Sequence, residues 1–98
     1  MQEIGQYIKS LRKYNNLFLR ELASSLLIDK AILSKIERGE RRATREQVIA
    51  ISDFFQIKND KLKVLWLSDR IMHELKEDKD LTDQVLKVVK IRIKHTEN

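Results

Sequence analysis

The sequence predicts an all-α fold, a compact helical bundle formed by one continuous domain. Its 98 residues include no proline and only two glycines, in a composition rich in Leu, Ile, Lys, Glu and Arg. Apolar residues recur at the i, i+3, i+4, i+7 spacing of amphipathic helices, and residues typical of helix caps separate these stretches. A chain of this length builds a modest core without disulfides or metals.

Composition excludes several classes of protein. There is no cysteine, so neither disulfides nor a thiolate zinc site can form. No apolar run approaches the ~20 residues that span a bilayer, and the N-terminus lacks the core of a signal peptide. We therefore expect a soluble, cytoplasmic protein that has no membrane partner.

The first helix is expected over residues 3–14, with one apolar face. Gly5 lies inside this helix, where glycine costs about 1 kcal/mol relative to alanine. It indicates either close backbone packing or a frayed first turn. Asn15 and Asn16 form the following turn, and Leu17 and Phe18 are expected to enter the second helix. The apolar face of the first helix consists of Ile4, Ile8 and Leu11.

Two short helices joined by a tight turn follow. Only Leu27 and Ile28 separate the amphipathic stretch 19–26 from Asp29, which is typical of a helix N-cap, and Gly39 is typical of the left-handed residue that ends a helix. A tight turn before a second helix with one apolar and one basic side is the pattern of a helix-turn-helix. The apolar positions of the first of these helices are Leu19, Leu22, Ala23 and Leu26.

The second of these helices has an outer face suited to a DNA major groove. Leu33 and Ile36 face the core, and the outer residues are basic or small. Taken alone, the same pattern also fits a short solvated surface helix. The outer residues are Lys30, Ala31, Ser34, Lys35 and Arg38.

Residues 4–55 resemble the Cro and phage-repressor-like (XRE) helix-turn-helix family. The resemblance implies a lambda-repressor-like fold and a transcription regulator that binds double-stranded DNA. Two positions depart from the family pattern, because Leu27 replaces a turn glycine and Leu19 replaces a glutamine that contacts phosphate. The matching stretches are Ile4-Gly-Gln-Tyr-Ile-Lys-Ser-Leu-Arg12, Glu21-Leu-Ala23 and Leu33-Ser-Lys-Ile-Glu-Arg-Gly-Glu-Arg41.

The resemblance also implies a structural ion pair between Arg12 and Glu37. Because Leu27 is not glycine, the resemblance leaves open a different turn geometry or a longer preceding helix. The contact that the family glutamine makes with phosphate is expected to be absent at Leu19.

Positive charge lies mainly in the first half of the chain. Residues 1–58 carry eleven Lys and Arg against seven Asp and Glu, whereas residues 59–98 carry nine against eight. We expect Lys30, Ala31, Ser34 and Lys35 to contact base edges, with Ile32 as a further apolar contact if it is exposed. We expect phosphate or minor-groove contacts from Arg38, Arg41, Arg42 and Arg45.

The fourth helix is expected over residues 44–55. Thr44 and Gln47 have the spacing of a capping box, and the free amides of this helix start could hold one more phosphate. Residues expected to be buried at least in part are Val48, Ile49, Ile51, Phe54 and Phe55.

Residues 59–98 extend beyond the predicted DNA-binding unit of residues 1–58. Asn59 or Asp60 is expected to cap a helix that ends near residue 76, and a last helix is expected over residues 81–95. Seven aliphatic residues fall within 81–93, which indicates an intersubunit surface. The alternatives are that this helix completes the monomer core or, less favourably, that it forms a strand. Trp66 is expected to belong either to the core or to the dimer interface. The residues predicted for the dimer interface are Trp66, Ile71, Val85, Val88, Val89 and Ile93.

No catalytic or metal constellation stands out in the sequence. His73 and His95 have no ligand partner at helical spacing, and the serines have no histidine base in the pattern. We expect no enzyme and no cofactor. The interpretation is a homodimeric regulator acting on a palindromic operator, and the resemblance to the helix-turn-helix family implies a restriction-modification controller as the specific role. The alternative is an antitoxin that masks a protein partner through its C-terminal helices and regulates its own operon.

Overall fold

The computed structural model describes residues 3–97, which form six α-helices, one 3₁₀ turn and no strand. The predicted all-α fold is confirmed. Residues 1 and 2 of the predicted unit 1–58, and residue 98 of the predicted unit 59–98, lie outside the residues that the structure describes. The helices are α1 Glu3–Tyr14, α2 Leu19–Leu26, α3 Lys30–Glu37, α4 Arg45–Phe54, α5 Lys61–Glu74 and α6 Thr82–Thr96, and the 3₁₀ turn is Lys79–Leu81.

Local signals placed most helix boundaries correctly, with two corrections. The prediction that Leu17 and Phe18 enter α2 is wrong, because Phe18 is the N-cap and its amide donates to Glu21 Oε1 at 2.7 Å. Asp60 precedes α5 as expected, yet it adopts a left-handed backbone with φ of 55° and its side chain makes no capping hydrogen bond. A left-handed turn over Asn59 and Asp60 therefore starts α5.

The core is shared between the two halves of the chain. Leu62 and Trp66 of α5 are buried together with residues of α1 to α4, so α5 completes the bundle on which the first four helices depend. Burying a large aliphatic side chain contributes about 1.5–3 kcal/mol each. The buried apolar residues are Ile4, Ile8, Leu22, Ala23, Leu33, Ile36, Ala43, Val48, Ile51, Leu62 and Trp66.

Gly5 marks the closest approach of α1 to α3. A Cβ atom at this position would lie within 3 Å of the carbonyl oxygens of Ile36 and Glu37. Of the two interpretations of this glycine, close backbone packing is therefore the correct one. Since α1 meets the C-terminal end of α3 here, the contact fixes the position of α3 in the bundle.

The burial expected for α4 is only partly observed. Val48 and Ile51 are buried and Phe55 is half-buried, but Ile49 and Phe54 are exposed. The buried residues follow the i, i+3, i+7 spacing of one face, and Ile49 and Phe54 fall outside it. Phe54 instead packs edge-on against Phe55, with their ring centroids 5.0 Å apart.

A buried carboxylate links α5 to the start of α1. The Ile4 amide donates to Asp69 Oδ2 at 3.0 Å, and both residues are buried. The first amides of a helix lack partners within the helix, and a negative charge at that end is favourable. Asp69 thus caps α1 from a position 65 residues away along the chain.

The last helix, α6, extends from the bundle. None of its residues is buried, and its principal tertiary neighbour is the 3₁₀ turn that precedes it. The radius of gyration is 15.6 Å, compared with about 13 Å for a compact domain of this size. The alternative that α6 completes the monomer core is therefore not supported, and the segment is a helix and not a strand.

Candidate nucleic-acid interface

Helix α3 begins and ends at well-defined capping residues. Asp29 Oδ1 accepts a hydrogen bond from the Ala31 amide at 2.8 Å, which satisfies one of the free donors at the helix start. Gly39 has φ of 75°, and the Glu40 amide donates to the Lys35 carbonyl at 2.8 Å. Both caps expected from the sequence are present. They fix a short helix that would be marginal in isolation.

The turn before α3 keeps a left-handed residue although that residue is leucine. Leu27 has φ of 55° and ψ of 40°, its amide donates to Ser24, and Ile28 donates to Ala23. Helix α2 therefore ends at Leu26 and is not extended through the turn. Leu19, at the start of α2, is half-buried against the core, so this position directs an apolar side chain inward.

The outer face of α3 consists of small and basic side chains. Leu33 and Ile36 are fully buried on the opposite face, so the rotation of the helix about its axis is fixed. Ile32 is half-buried and packs against the core. Of the predicted base-contacting residues, Ser34 is half-buried, and those that the structure exposes are Lys30, Ala31 and Lys35.

A bidentate ion pair connects α1 to the end of α3. Arg12 Nε and Nη2 donate to the two carboxylate oxygens of Glu37 at 2.8 and 3.0 Å, and Arg12 Nη1 donates to the Leu17 carbonyl at 2.9 Å. The two side chains are 12% and 5% exposed. The hydrogen bond to Glu37 raises the pKa of Arg12, desolvation opposes this effect, and the charge of Glu37 adds to it. The pair neutralises a carboxylate directly beneath the basic face.

The arginines that follow α3 lie in two different surroundings. Arg38 forms an exposed ion pair with Glu40 at 2.9 Å, and Arg41 is exposed. Arg42 and Arg45 instead lie over the ring of Trp66, with distances of 4.9 and 5.3 Å from each guanidinium carbon to the ring centroid. All four side chains are exposed, and together they give the segment from the end of α3 to the start of α4 a basic surface.

Trp66 lies beneath this surface and belongs to the protomer core. It is 5% exposed, and its indole Nε1 donates to the Ala43 carbonyl at 2.8 Å. The sequence placed Trp66 in the dimer interface, but a ring buried to this extent offers little area to a second protomer. The other residues predicted for that interface are exposed, namely Ile71, Val85, Val88, Val89 and Ile93.

Helix α4 begins next to these arginines with the expected capping box. The Gln47 amide donates to Thr44 Oγ1 at 3.1 Å, and the Thr44 amide donates to Gln47 Oε1 at 2.9 Å. The box is confirmed. It fixes the start of α4, and with it Arg45, relative to Trp66.

Sequence reasoning missed Arg70 and Asp69 of α5. Arg70 follows Trp66 by one helical turn and its charge acts on Arg42, whereas Asp69 caps α1. The i, i+4 spacing of Trp66 and Arg70 could have indicated that the two residues are neighbours on one helix face. Nothing local could have linked Asp69 to Ile4.

Residues 3–97 lack two further features that the chain could have carried. No helix in this part of the chain is long and apolar enough to cross a membrane. The same residues include no group of three or more His, Asp or Glu side chains that could hold a metal ion.

Comparison with known proteins identifies the fold family. A family model described as helix-turn-helix matches residues 8–62, which is more than half of the chain and spans α2, the turn and α3. No curated protein and no solved structure matches the chain. The matched region includes the capped α3, its basic outer face and the arginines that follow. The chain therefore belongs to the Cro/C1-type (XRE) helix-turn-helix family of DNA-binding transcription regulators.

Proposed function

We propose that the protein is a sequence-specific transcription regulator that binds a palindromic operator in double-stranded DNA as a homodimer. The observation that carries this proposal is the outer face of α3. The helix is capped at both ends, and two fully buried side chains, Leu33 and Ile36, hold its inner face. A helix so fixed presents small and basic residues outward and fits the width of a major groove.

Base recognition is assigned to four residues of α3. The ammonium groups of Lys30 and Lys35 donate to O6 or N7 of guanine, Ala31 contacts a thymine methyl group, and Ser34 bonds to a base of either kind. Ile32 is left out of this set because it is half-buried against the core. Each such contact discriminates against a wrong base by about 1–3 kcal/mol at best.

Contacts with the DNA backbone are assigned to the arginines that follow α3. Arg38, Arg41 and Arg42 lie between α3 and α4, and Arg45 is the first residue of α4. Each can neutralise a phosphate, and Arg45 is assigned either to a phosphate or to the adjacent minor groove. Arg38 must exchange its exposed partner Glu40 for a phosphate, which costs little because exposed ion pairs contribute at most about 1 kcal/mol.

Dimerisation is assigned to α6 and the end of α5. Val85, Val89 and Ile93 recur along one face of α6 and are exposed, as is Ile71 of α5. An exposed apolar face of this kind is stabilised when a second copy covers it. A two-fold dimer would read half-sites about 10 base pairs apart or a multiple of that spacing. Val88 lies beside this face and is also assigned to the interface.

The specific role proposed is control of a restriction-modification operon in the cytoplasm. An antitoxin is the second candidate, and the exposed apolar face of α6 favours it equally, because a toxin could cover that face. Sizing of the purified protein separates the two. A stable dimer that binds no hydrophobic dye supports the regulator, whereas dye binding or aggregation without a partner supports the antitoxin.

The first test is DNA binding by fluorescence anisotropy over a series of salt concentrations. The duplex immediately upstream of the gene is compared with a scrambled duplex of the same composition. We expect preference for the upstream duplex of about a thousandfold or more. Equal, weak and steeply salt-dependent binding to both duplexes would contradict sequence-specific regulation, since it would reduce the basic surface to a non-specific electrostatic contact.

A further inference from the structure

Two arginines lie over the ring of Trp66, and a third lies close enough for its charge to act on one of them. Arg42 and Arg45 approach it from the α3–α4 connection and the start of α4, with guanidinium carbons 4.9 and 5.3 Å from the ring centroid. Arg70 follows Trp66 by four residues on α5, the spacing that places two side chains on the same helix face. Segments distant in sequence thus bring three cations into one region, two of them over a buried ring and the third acting on Arg42.

The charges of this cluster are only partly offset within residues 3–97. None of Arg42, Arg45 and Arg70 forms an ion pair within residues 3–97. Desolvation lowers the pKa of Arg42, the nearby charge of Arg70 lowers it further, and Asp69 opposes these effects. A guanidinium group stays protonated in proteins, so the cluster holds three like charges close together. An arrangement of this kind is stabilised by an anionic ligand.

Contact with the ring orients Arg42 and Arg45 without using their hydrogen-bond donors. A guanidinium held over an aromatic ring is attracted by the π system and does not need its N–H donors for that contact, so they remain available to a ligand. The ring is itself fixed, because its Nε1 donates to Ala43 at 2.8 Å. Side chains ordered before binding lose less conformational entropy on forming the complex.

We infer that Arg42, Arg45 and Arg70 form one phosphate-binding cluster, that Trp66 is its positioning residue, and that the ligand is the backbone of DNA. This inference rests on the proposed function and adds α5 to the DNA-binding surface. The three side chains are exposed and continue the basic surface of α3 and Arg41, which favours an extended polyanion over a free anion.

Trp66 provides a direct reporter because it is the only tryptophan in the sequence. Its emission is recorded at an excitation wavelength where DNA does not absorb, while a labelled duplex follows binding by anisotropy. We expect emission to change in parallel with binding to any duplex. Sodium phosphate at matched ionic strength should leave emission unchanged. An equal change with phosphate would identify a free-anion site and overturn the assignment to DNA.

The contribution of Arg70 is measured with a charge-matched control. Arg70→Gln should weaken all duplexes several-fold and reduce the slope of log K against log salt by about 0.9, the value for one phosphate. Lys90→Gln removes the same charge from the polar face of α6 and should change neither the slope nor the emission response. If the two variants behave alike, Arg70 does not contact phosphate and the inference is wrong.

The positioning role of Trp66 is tested by conservative and non-conservative substitution. Trp66→Phe keeps an aromatic face, whereas Trp66→Leu removes it, and circular dichroism establishes that each variant is folded. We expect the Phe variant to keep most of the affinity and the Leu variant to lose affinity for all duplexes equally. Equal affinities of folded Phe and Leu variants would overturn the positioning role. If Trp66→Leu does not fold, the emission experiment on the wild-type protein still decides whether DNA binds at the arginine cluster.

The same measurements separate this inference from the proposed function. Binding seen by anisotropy without a change in Trp66 emission would overturn the cluster while DNA binding stands. Absence of binding to every duplex would overturn DNA binding itself, and the inference with it.

Discussion

Leu27 adopts a backbone conformation that side chains ordinarily disfavour. A left-handed residue other than glycine costs roughly 1–2 kcal/mol, because its Cβ approaches the following carbonyl oxygen. The side chain is 94% exposed and cannot recover that cost through packing. The strain lies in the turn that orients α3 relative to α2.

Leu27→Gly should raise the free energy of unfolding by about 0.5–1 kcal/mol. Relief of the left-handed strain exceeds the entropy that glycine loses on folding. Chemical denaturation monitored by circular dichroism measures the change. Leu27→Ala is the control, because it removes the exposed side chain but keeps the Cβ atom. An equal gain from alanine would mean that backbone strain is not the cause.

Gly5→Ala should destabilise the protein by about 1–3 kcal/mol, as overpacked positions do. Helix propensity alone would predict a gain of about 1 kcal/mol. The new Cβ would lie 2.4 Å from the Ile36 carbonyl oxygen, which is backbone and cannot move aside cheaply. Ser10→Ala on the exposed side of α1 provides the control for propensity. A stabilising Gly5→Ala would contradict the close contact of α1 with α3.

At the scale of the elements, α3 is proposed to contact the bases of DNA and the segment after it is proposed to contact the phosphates. Lys35 lies on the outer face of α3, and Arg42 lies beyond the helix. A base contact affects one position of the operator, whereas a phosphate contact affects every duplex to a similar extent.

Lys35→Ala should lower affinity for the cognate operator by roughly tenfold and relax the base preference at one position. Arg42→Ala should weaken all duplexes similarly and reduce the salt slope by about 1. Binding of a set of operators with single base changes measures both effects, and Lys58→Ala provides a control. If the Lys35 and Arg42 variants showed the same profile, the division into base and phosphate contacts would be wrong.

Sequence patterns predicted the elements because the responsible interactions are local. The Asp29 cap spans two residues and the Thr44–Gln47 box spans three, so each is visible in a short window. The contact of Asp69 with Ile4 joins residues 65 apart and has no such signal. Ile49 and Phe54 are apolar but lie off the buried face of α4, and residue type alone does not reveal this.

The sequence predicted the candidate site about as completely as it predicted the helices. The residues on the outer face of α3 followed from helical periodicity and from two inward side chains, Leu33 and Ile36. The surroundings of Trp66 did not, because Arg42 and Arg45 reach its ring from a different part of the chain. Gly5 shows the same limit. Its position inside α1 indicated either close backbone packing or a frayed first turn, and only the packing of α1 on α3 decided between them.

At the scale of the whole molecule, a five-helix bundle carries a sixth helix on its outside. The dimensions of 43 × 32 × 21 Å reflect this extension. Only the first turns of α6 approach α5, where Thr82 and Leu86 share an apolar cleft with Ile71 and Met72. The rest of α6 is exposed, so covering it requires another molecule.

Val89→Lys should convert the proposed dimer into a folded monomer. A charge at the centre of the apolar face is costly to bury between two protomers, yet Val89 contributes nothing to the protomer core. Sedimentation measures the change in mass, and circular dichroism should show that helix content is retained. Lys90→Gln on the polar face should remain dimeric. A Val89→Lys variant that stays dimeric would exclude this face of α6 as the interface.

The peripheral position of α6 has a consequence for how such a protein can evolve. No α6 side chain is buried in the bundle, so substitutions there meet little constraint from folding of the remaining helices. Changes on the outer face of α3 are similarly separated from the core by the fully buried Leu33 and Ile36. Partner choice and DNA target choice can therefore diverge independently between descendants of one gene. A duplicated copy could change the exposed face of α6 while the outer face of α3 stayed the same.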